Sequence, residues 1–174
     1  MREYKGIIIY ADGSVAEGHF VQGKLKGKGR KIMKVLDVYE GEFANNLPDG
    51  KGRMTYHDGS HYEGDWKEGD KFGIGIEELV DEHGGQIYEG AFLDGKRHGR
   101  GKFTRKDGEM YEGDFVQDCP EGTGKLTWGK GWSYDGQWKA GLKHGKGTLM
   151  SPGEYTYVGE FENGKKHGKG TLTR

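Results

Sequence analysis

Three histidines, His98, His144 and His167, each stand immediately before a Gly-x-Gly triplet. Imidazoles repeated in one context are the first candidates for metal or acid–base chemistry. A metal centre needs ligands that converge, yet no paired cysteine or second histidine accompanies each of the three. His57, His61 and His83 could join a surface site, but no spacing ties them together. Ser14, Ser60, Ser133 and Ser151 lack the matched histidine and acid of a nucleophilic triad. The runs KLKGKGRK (24–31) and KRHGRGKF (96–103) look like phosphate loops until their spacing is checked. They lack Gly-x-x-x-x-Gly-Lys-Ser/Thr and any helical pattern after it. The expectation is no catalytic residue, no metal site and no cofactor, with the histidines in structural turns.

What would position these residues is a repeat. The same phrase begins at 16, 39, 62, 88, 111, 134 and 157, after a partial copy over 1–15. Counting the first residue of each copy as position 0, that place is Tyr39, Tyr62, Tyr88, Tyr111, Tyr134 and Tyr157, with Ala16 in the first copy. Position 2 is always glycine, position 4 always Phe or Trp, and positions 11 and 13 always glycine. Apolar residues at 0, 2 and 4 alternate with polar ones at 1 and 3, which is the period of a strand with one apolar face. Positions 11, 13 and 15 repeat the alternation on a second strand. Position 7 between them is Gly, Asn or Asp, the residues that reach positive φ most cheaply. Copies are often joined by Asp-Gly turns such as Asp58-Gly59. Each copy therefore reads as a β-hairpin, with the glycines at 2, 11 and 13 leaving room for rings to lie across bare backbone.

Composition agrees. Glycine supplies 35 of 174 residues, and only 32 % of the chain is apolar, too little for a large conventional core. The net charge of −1 gives no overall field for nucleic acid. No apolar run approaches the roughly 18–20 residues of a membrane helix, and the start, MREYKG, has no apolar stretch of a secretory signal. Cys119 is the single cysteine, which fits a reducing compartment and a cytoplasmic location.

The phrase Tyr-x-Gly-x-Phe-x-x-Gly-x-x-His-Gly-x-Gly, complete in YEGAFLDGKRHGRG (88–101) and YVGEFENGKKHGKG (157–170), resembles the MORN repeat (membrane occupation and recognition nexus). The resemblance spans nearly the whole chain. It implies an all-β fold, an elongated, twisted, single-layer antiparallel sheet of consecutive hairpins forming one array over 1–174. It also implies a scaffold or protein-interaction module, near membrane or cytoskeletal structures, that binds a peptide or helix of a protein partner or self-associates. The alternative it implies is a peripheral module for anionic phospholipid, regulatory to a lipid kinase or another domain outside this chain.

Two surfaces are candidates for that binding. The aromatic row Tyr62, Trp66, Tyr88, Phe92, Tyr111, Phe115, Tyr134 and Trp138 is expected to stay partly reachable as a partner groove, because a single layer has nothing to cover it. For the lipid alternative, Lys96, Arg97, Lys143, Lys165 and Lys166 near the hairpin turns are expected to protrude toward anionic headgroups. Acidic residues at positions 1 and 3 should pair with basic residues of neighbouring strands. A three-residue insertion within 76–87, carrying Glu77, Glu78, Asp81 and Glu82, predicts an acidic loop or bulge.

Overall fold

The computed structural model describes residues 3–81 and 84–174. Its strands are β1 Glu3–Ile9, β2 Val15–Val21, β3 Lys24–Ile32, β4 Val38–Ala44, β5 Leu47–Thr55, β6 His61–Lys67, β7 Asp70–Leu79 and β8 Gln86–Leu93. They continue as β9 Lys96–Arg105, β10 Met110–Val116, β11 Cys119–Trp128, β12 Trp132–Lys139, β13 Leu142–Ser151, β14 Tyr155–Glu162 and β15 Lys165–Thr173. No helix occurs among the described residues. The strands form one open antiparallel sheet whose order is the order of the chain. Described residues within Met1–Glu82 and Phe92–Gly95 make one compact unit, and those within His83–Ala91 and Lys96–Arg174 make a second.

Within each full copy the hairpin closes on two residues, both with positive φ: Asn45 (51°) and Asn46 (72°), Gln117 (47°) and Asp118 (69°), Ala140 (49°) and Gly141 (77°). That is the turn whose twist matches a right-handed pair of strands. The sequence pattern marks position 7 as left-handed. Position 6 adopts the same region without glycine, because the two-residue closure leaves it no other choice.

Position 11 corrects one expectation. Its glycine does not seat a ring; it makes a bulge. In β10–β11, Gly113 pairs with Gly124 but Phe115 pairs with Pro120, so extra residues of β11 are accommodated between them. Gly122 takes φ 74° there, a conformation open to glycine at little cost. The position-3 side chain caps the bulge: Asp114 Oδ2 accepts the Thr123 N–H at 3.0 Å, and Gln137 Oε1 accepts the Lys146 N–H at 2.8 Å. Position 9 lies opposite the ring of position 4, as Lys143 does Trp138 and Lys166 does Phe161, and so shares the ring-bearing face.

Positions 2 and 13 behave as expected. Glycines face each other from strand to strand, as Gly41, Gly52, Gly64 and Gly75 do in the first unit and Gly113, Gly124, Gly136 and Gly147 in the second. A Cβ built on Gly124 would collide with the ring and hydroxyl of Tyr111. The tyrosine lies flat over this bare backbone, and its hydroxyl donates to the carbonyl three residues on, as Tyr62 to Asp65 O (2.9 Å) and Tyr134 to Gln137 O (2.9 Å). Tyr39, Tyr62, Tyr111 and Tyr134 each also meet two position-4 rings edge-to-face, their own and the next copy's. Tyr111 thus packs on Phe115 (5.1 Å) and Trp138 (5.1 Å), and Tyr39 on Phe43 (4.9 Å) and Trp66 (5.2 Å). Such pairs add roughly 0.5–1.5 kcal/mol each beyond area burial.

Candidate interaction surfaces

The aromatic row is an interior. Tyr62, Trp66, Tyr88, Phe92, Tyr111, Phe115, Tyr134 and Trp138 are each between 0 and 7 % exposed, so the expectation that they remain reachable is corrected. Glycine backbone below, neighbouring rings beside and position-9 side chains above close the layer without a second sheet. Burial raises the phenol pKa of Tyr62 and Tyr111 above the ordinary value and pushes that of Tyr134 up to about 12. The Trp indoles are used internally as well: Trp66 Nε1 donates to Gly52 O (3.0 Å) and Trp138 Nε1 to Gly124 O (2.8 Å).

Of the five basic residues assigned to lipid, Lys96 and Lys165 are exposed at the turns. Of the other three, Arg97 and Lys143 are half-buried and Lys166 is exposed, and all three lie over rings. Arg97 lies over Tyr88 (5.0 Å), Lys143 over Tyr134 (5.4 Å) and Lys166 over Tyr157 (4.8 Å), as Lys71 lies over Tyr62 (5.2 Å). Position 9 directs them onto the ring faces, and burial lowers the Lys143 pKa. Position 9 is the functional place that the repeat pattern overlooks. Its signal was present: Pro48 and Pro120 occupy it in the two copies followed by a tryptophan at position 4.

The opposite face carries the charged residues of positions 1, 3, 12 and 14. Arg30 pairs with Glu40 (3.1 Å), Arg53 with Glu63 (3.3 Å) and Lys51 with Asp65 (2.6 Å), as the cross-strand expectation requires. Between these ladders the glycine row leaves a trough. In the first unit it encloses about 660 Å³ over Gly29, Gly41, Gly52, Gly64 and Gly75. Its wall changes character at β7, where Ile74 and Ile76 stand 62 % and 47 % exposed. All other full copies hold Lys, Arg or Thr at these two positions, as in Lys51 and Arg53 or Thr123 and Lys125. Glu77 and Glu78 belong to strand β7 rather than to an acidic loop, and buried Glu77 is paired with Lys71. Glu82 and His83 lie outside the described residues.

The histidines stay dispersed, His98 on β9, His144 on β13 and His167 on β15. Among the described residues no group of three or more His, Cys, Asp or Glu could hold a metal ion, and no helix is long and apolar enough to cross a membrane.

Comparison with known proteins places this geometry. The model of the MORN repeat matches residues 17–32, 39–61, 62–82, 88–110, 111–133, 134–153 and 157–174. Alsin of Rattus norvegicus is 32 % identical over 92 residues, 49 % of this chain and 5 % of alsin's own length. Among solved structures, the SAS-4 (dCPAP) TCP domain in complex with a proline-rich motif of Ana2 (dSTIL) of Drosophila melanogaster aligns at 15 % identity and a TM-score of 0.45. That alignment covers 98 % of this chain and 89 % of that one. The MORN repeat is a non-catalytic repeat module associated with protein interaction and with membranes. With seven matched copies, six of them carrying the tyrosine seat over bare glycine backbone described above, the chain belongs to the MORN repeat family.

Proposed function

We propose that this chain is a non-enzymatic interaction module that holds a protein partner in the glycine-floored trough of its first unit. The observation that carries the reading is the pair Ile74 and Ile76, exposed in a wall that is otherwise polar. Exposed apolar side chains cost solubility, and beside a concave floor of about 660 Å³ they give a partner's apolar side chains a place to leave water. The buried rings serve this function indirectly, by holding the sheet that presents the trough. The setting is near membrane or cytoskeletal structures, and a second copy of the chain is one form the partner takes.

Ile74→Lys with Ile76→Lys restores the residue types of neighbouring copies, so the hairpin is expected to fold. Capture from native extract should lose at least one protein that the wild-type chain recovers. An identical set of captured proteins overturns the reading. Sedimentation with anionic liposomes belongs beside it: salt-sensitive recovery, unaffected by the two substitutions, would transfer the function to phospholipid.

A further inference from the structure

In the second unit three rings cluster, two of them where other copies hold polar side chains. Trp132 and Tyr155 lie two residues before their copy's tyrosine, a place taken elsewhere by residues such as Ser60, Gln86 and Glu109, and Trp128 ends β11. Trp128 and Trp132 are 6.1 Å apart between centroids, and Trp132 meets Tyr155 edge-on at 6.2 Å. Unlike the rings of the interior, all three are only half-buried. Cations are already mounted on them: Lys143 Nζ lies 4.7 Å from the Trp128 centroid and Lys166 Nζ 4.3 Å from that of Tyr155. Lys130 is exposed at the tip of the loop joining β11 and β12. The carboxylate of the same stretch, Glu154, accepts the Ser151 hydroxyl at 2.7 Å.

We infer that this patch docks an acidic segment of a protein partner, with carboxylates against Lys143 and Lys166 and an apolar side chain against Trp128, Trp132 and Tyr155. The charge of the patch selects the partner. Two lysines lie over rings of the kind that dominate binding energy at interfaces, with Lys130 in the adjoining loop, and electrostatic complementarity then favours Asp or Glu. Burial of the Lys143 amine, which lowers its pKa, leaves an ammonium whose charge an incoming carboxylate would stabilise. Lys166 is exposed, so a partner reaches it without rearrangement.

The inference stands apart from the trough of the first unit, and the experiment separates the two. Tryptophan fluorescence of the full chain is followed during titration with acetyl-Glu-Glu-Leu-Phe-Glu-Glu-amide, with its lysine counterpart, and with phosphatidylcholine vesicles containing phosphatidylserine. The acidic peptide should give a saturable change. Binding should weaken at least about fivefold in Trp132→Ala and in Lys166→Glu, while Ile74→Lys leaves it unchanged. Both patch variants are checked for an unaltered thermal midpoint, and Lys166→Glu changes only an exposed side chain. Equal response to the lysine peptide, a response that survives both variants, or a response to vesicles but not to the acidic peptide overturns the inference.

Discussion

The hairpin β10–β11 and its neighbour β12–β13 are built on one repeat yet hold themselves together differently. In β12–β13 the position-9 residue is Lys143, opposite Trp138, and its ammonium covers the Tyr134 ring. In β10–β11 that place is Pro120, which cannot reach over Tyr111, and a hollow of about 360 Å³ remains between Pro120, Tyr111 and the Trp138 of the next copy. This hairpin instead clasps its neighbours through carboxylates at its turn. Asp118 Oδ1 accepts the Arg97 N–H at 2.9 Å on one side, and Glu121 Oε2 accepts the Ala140 N–H at 2.8 Å on the other. The first unit repeats the arrangement: Asn46 holds the Leu25 N–H (2.7 Å), Asp49 the Glu68 N–H (3.2 Å), and position 9 is Pro48. A copy can thus be secured by a cation over its own ring or by polar clasps to both neighbours. In both cases the second device comes with a tryptophan in the following copy.

The largest effect expected from breaking this pattern is at that tryptophan. Trp138→Ala removes a buried ring together with its bond to Gly124 O, and should cost about 3–5 kcal/mol in denaturant unfolding. An intact, equally stable sheet would contradict the interior described here.

Next comes the exchange itself. Pro120→Lys alone introduces a long stem beside Trp138 and should destabilise by about 1–3 kcal/mol. Adding Trp138→Phe, the residue type that follows the position-9 cations Lys71, Arg97 and Lys143, should recover part of the loss. A double-mutant cycle with no coupling would show that the Pro–Trp coincidence has no energetic content.

A smaller difference separates the two bulge caps. Asp114 is held below the ordinary carboxylate range first by the Thr123 N–H, then by the Thr123 hydroxyl and Arg100, against the opposing effect of burial. Gln137, its counterpart, carries no charge. A depressed carboxylate contributes stability above its unfolded pKa, about 3.9, and loses it as pH falls through the lower folded value. Thermal midpoints taken from about pH 5 downward should therefore fall, and Asp114→Asn should flatten part of that fall, whereas Gln137→Asn should leave the slope alone.

The smallest effect is expected at the cation. Lys143→Met keeps the stem over Tyr134 and removes the charge, for about 0.5–1 kcal/mol, or a few degrees at most in the thermal midpoint.

Much of the fold was legible in the residues. Alternation at positions 0, 2 and 4 and the glycines at 2 and 13 are local signals, and they led correctly to consecutive hairpins with tyrosines over bare backbone. The role of the glycine at 11 was not legible, because a bulge glycine and a ring-seating glycine look alike in sequence. The basic residues of position 9 read as protruding because charge beside a turn suggests solvent, although their even spacing from position 13 already sets them on the ring-bearing face. The interaction surfaces were the least visible. Ile74 and Ile76 are ordinary strand residues in sequence, and become unusual only when the other copies show that this wall is polar.

By itself the sequence determined the repeat, the hairpins and which side chains belong to the ring-bearing strand positions, since all of these depend on spacing within some twenty residues. Whether the rings would be open or closed lay with the tertiary structure. Tyr39, Tyr62, Tyr88, Tyr111 and Tyr134 each meet the next copy's aromatic ring, and a position-9 cation often lies over the tyrosine as well. Exposure is a property of the neighbours a residue acquires across strands, so only the assembled sheet could move the accessible surface from the rings to the trough and the Trp128–Trp132–Tyr155 patch.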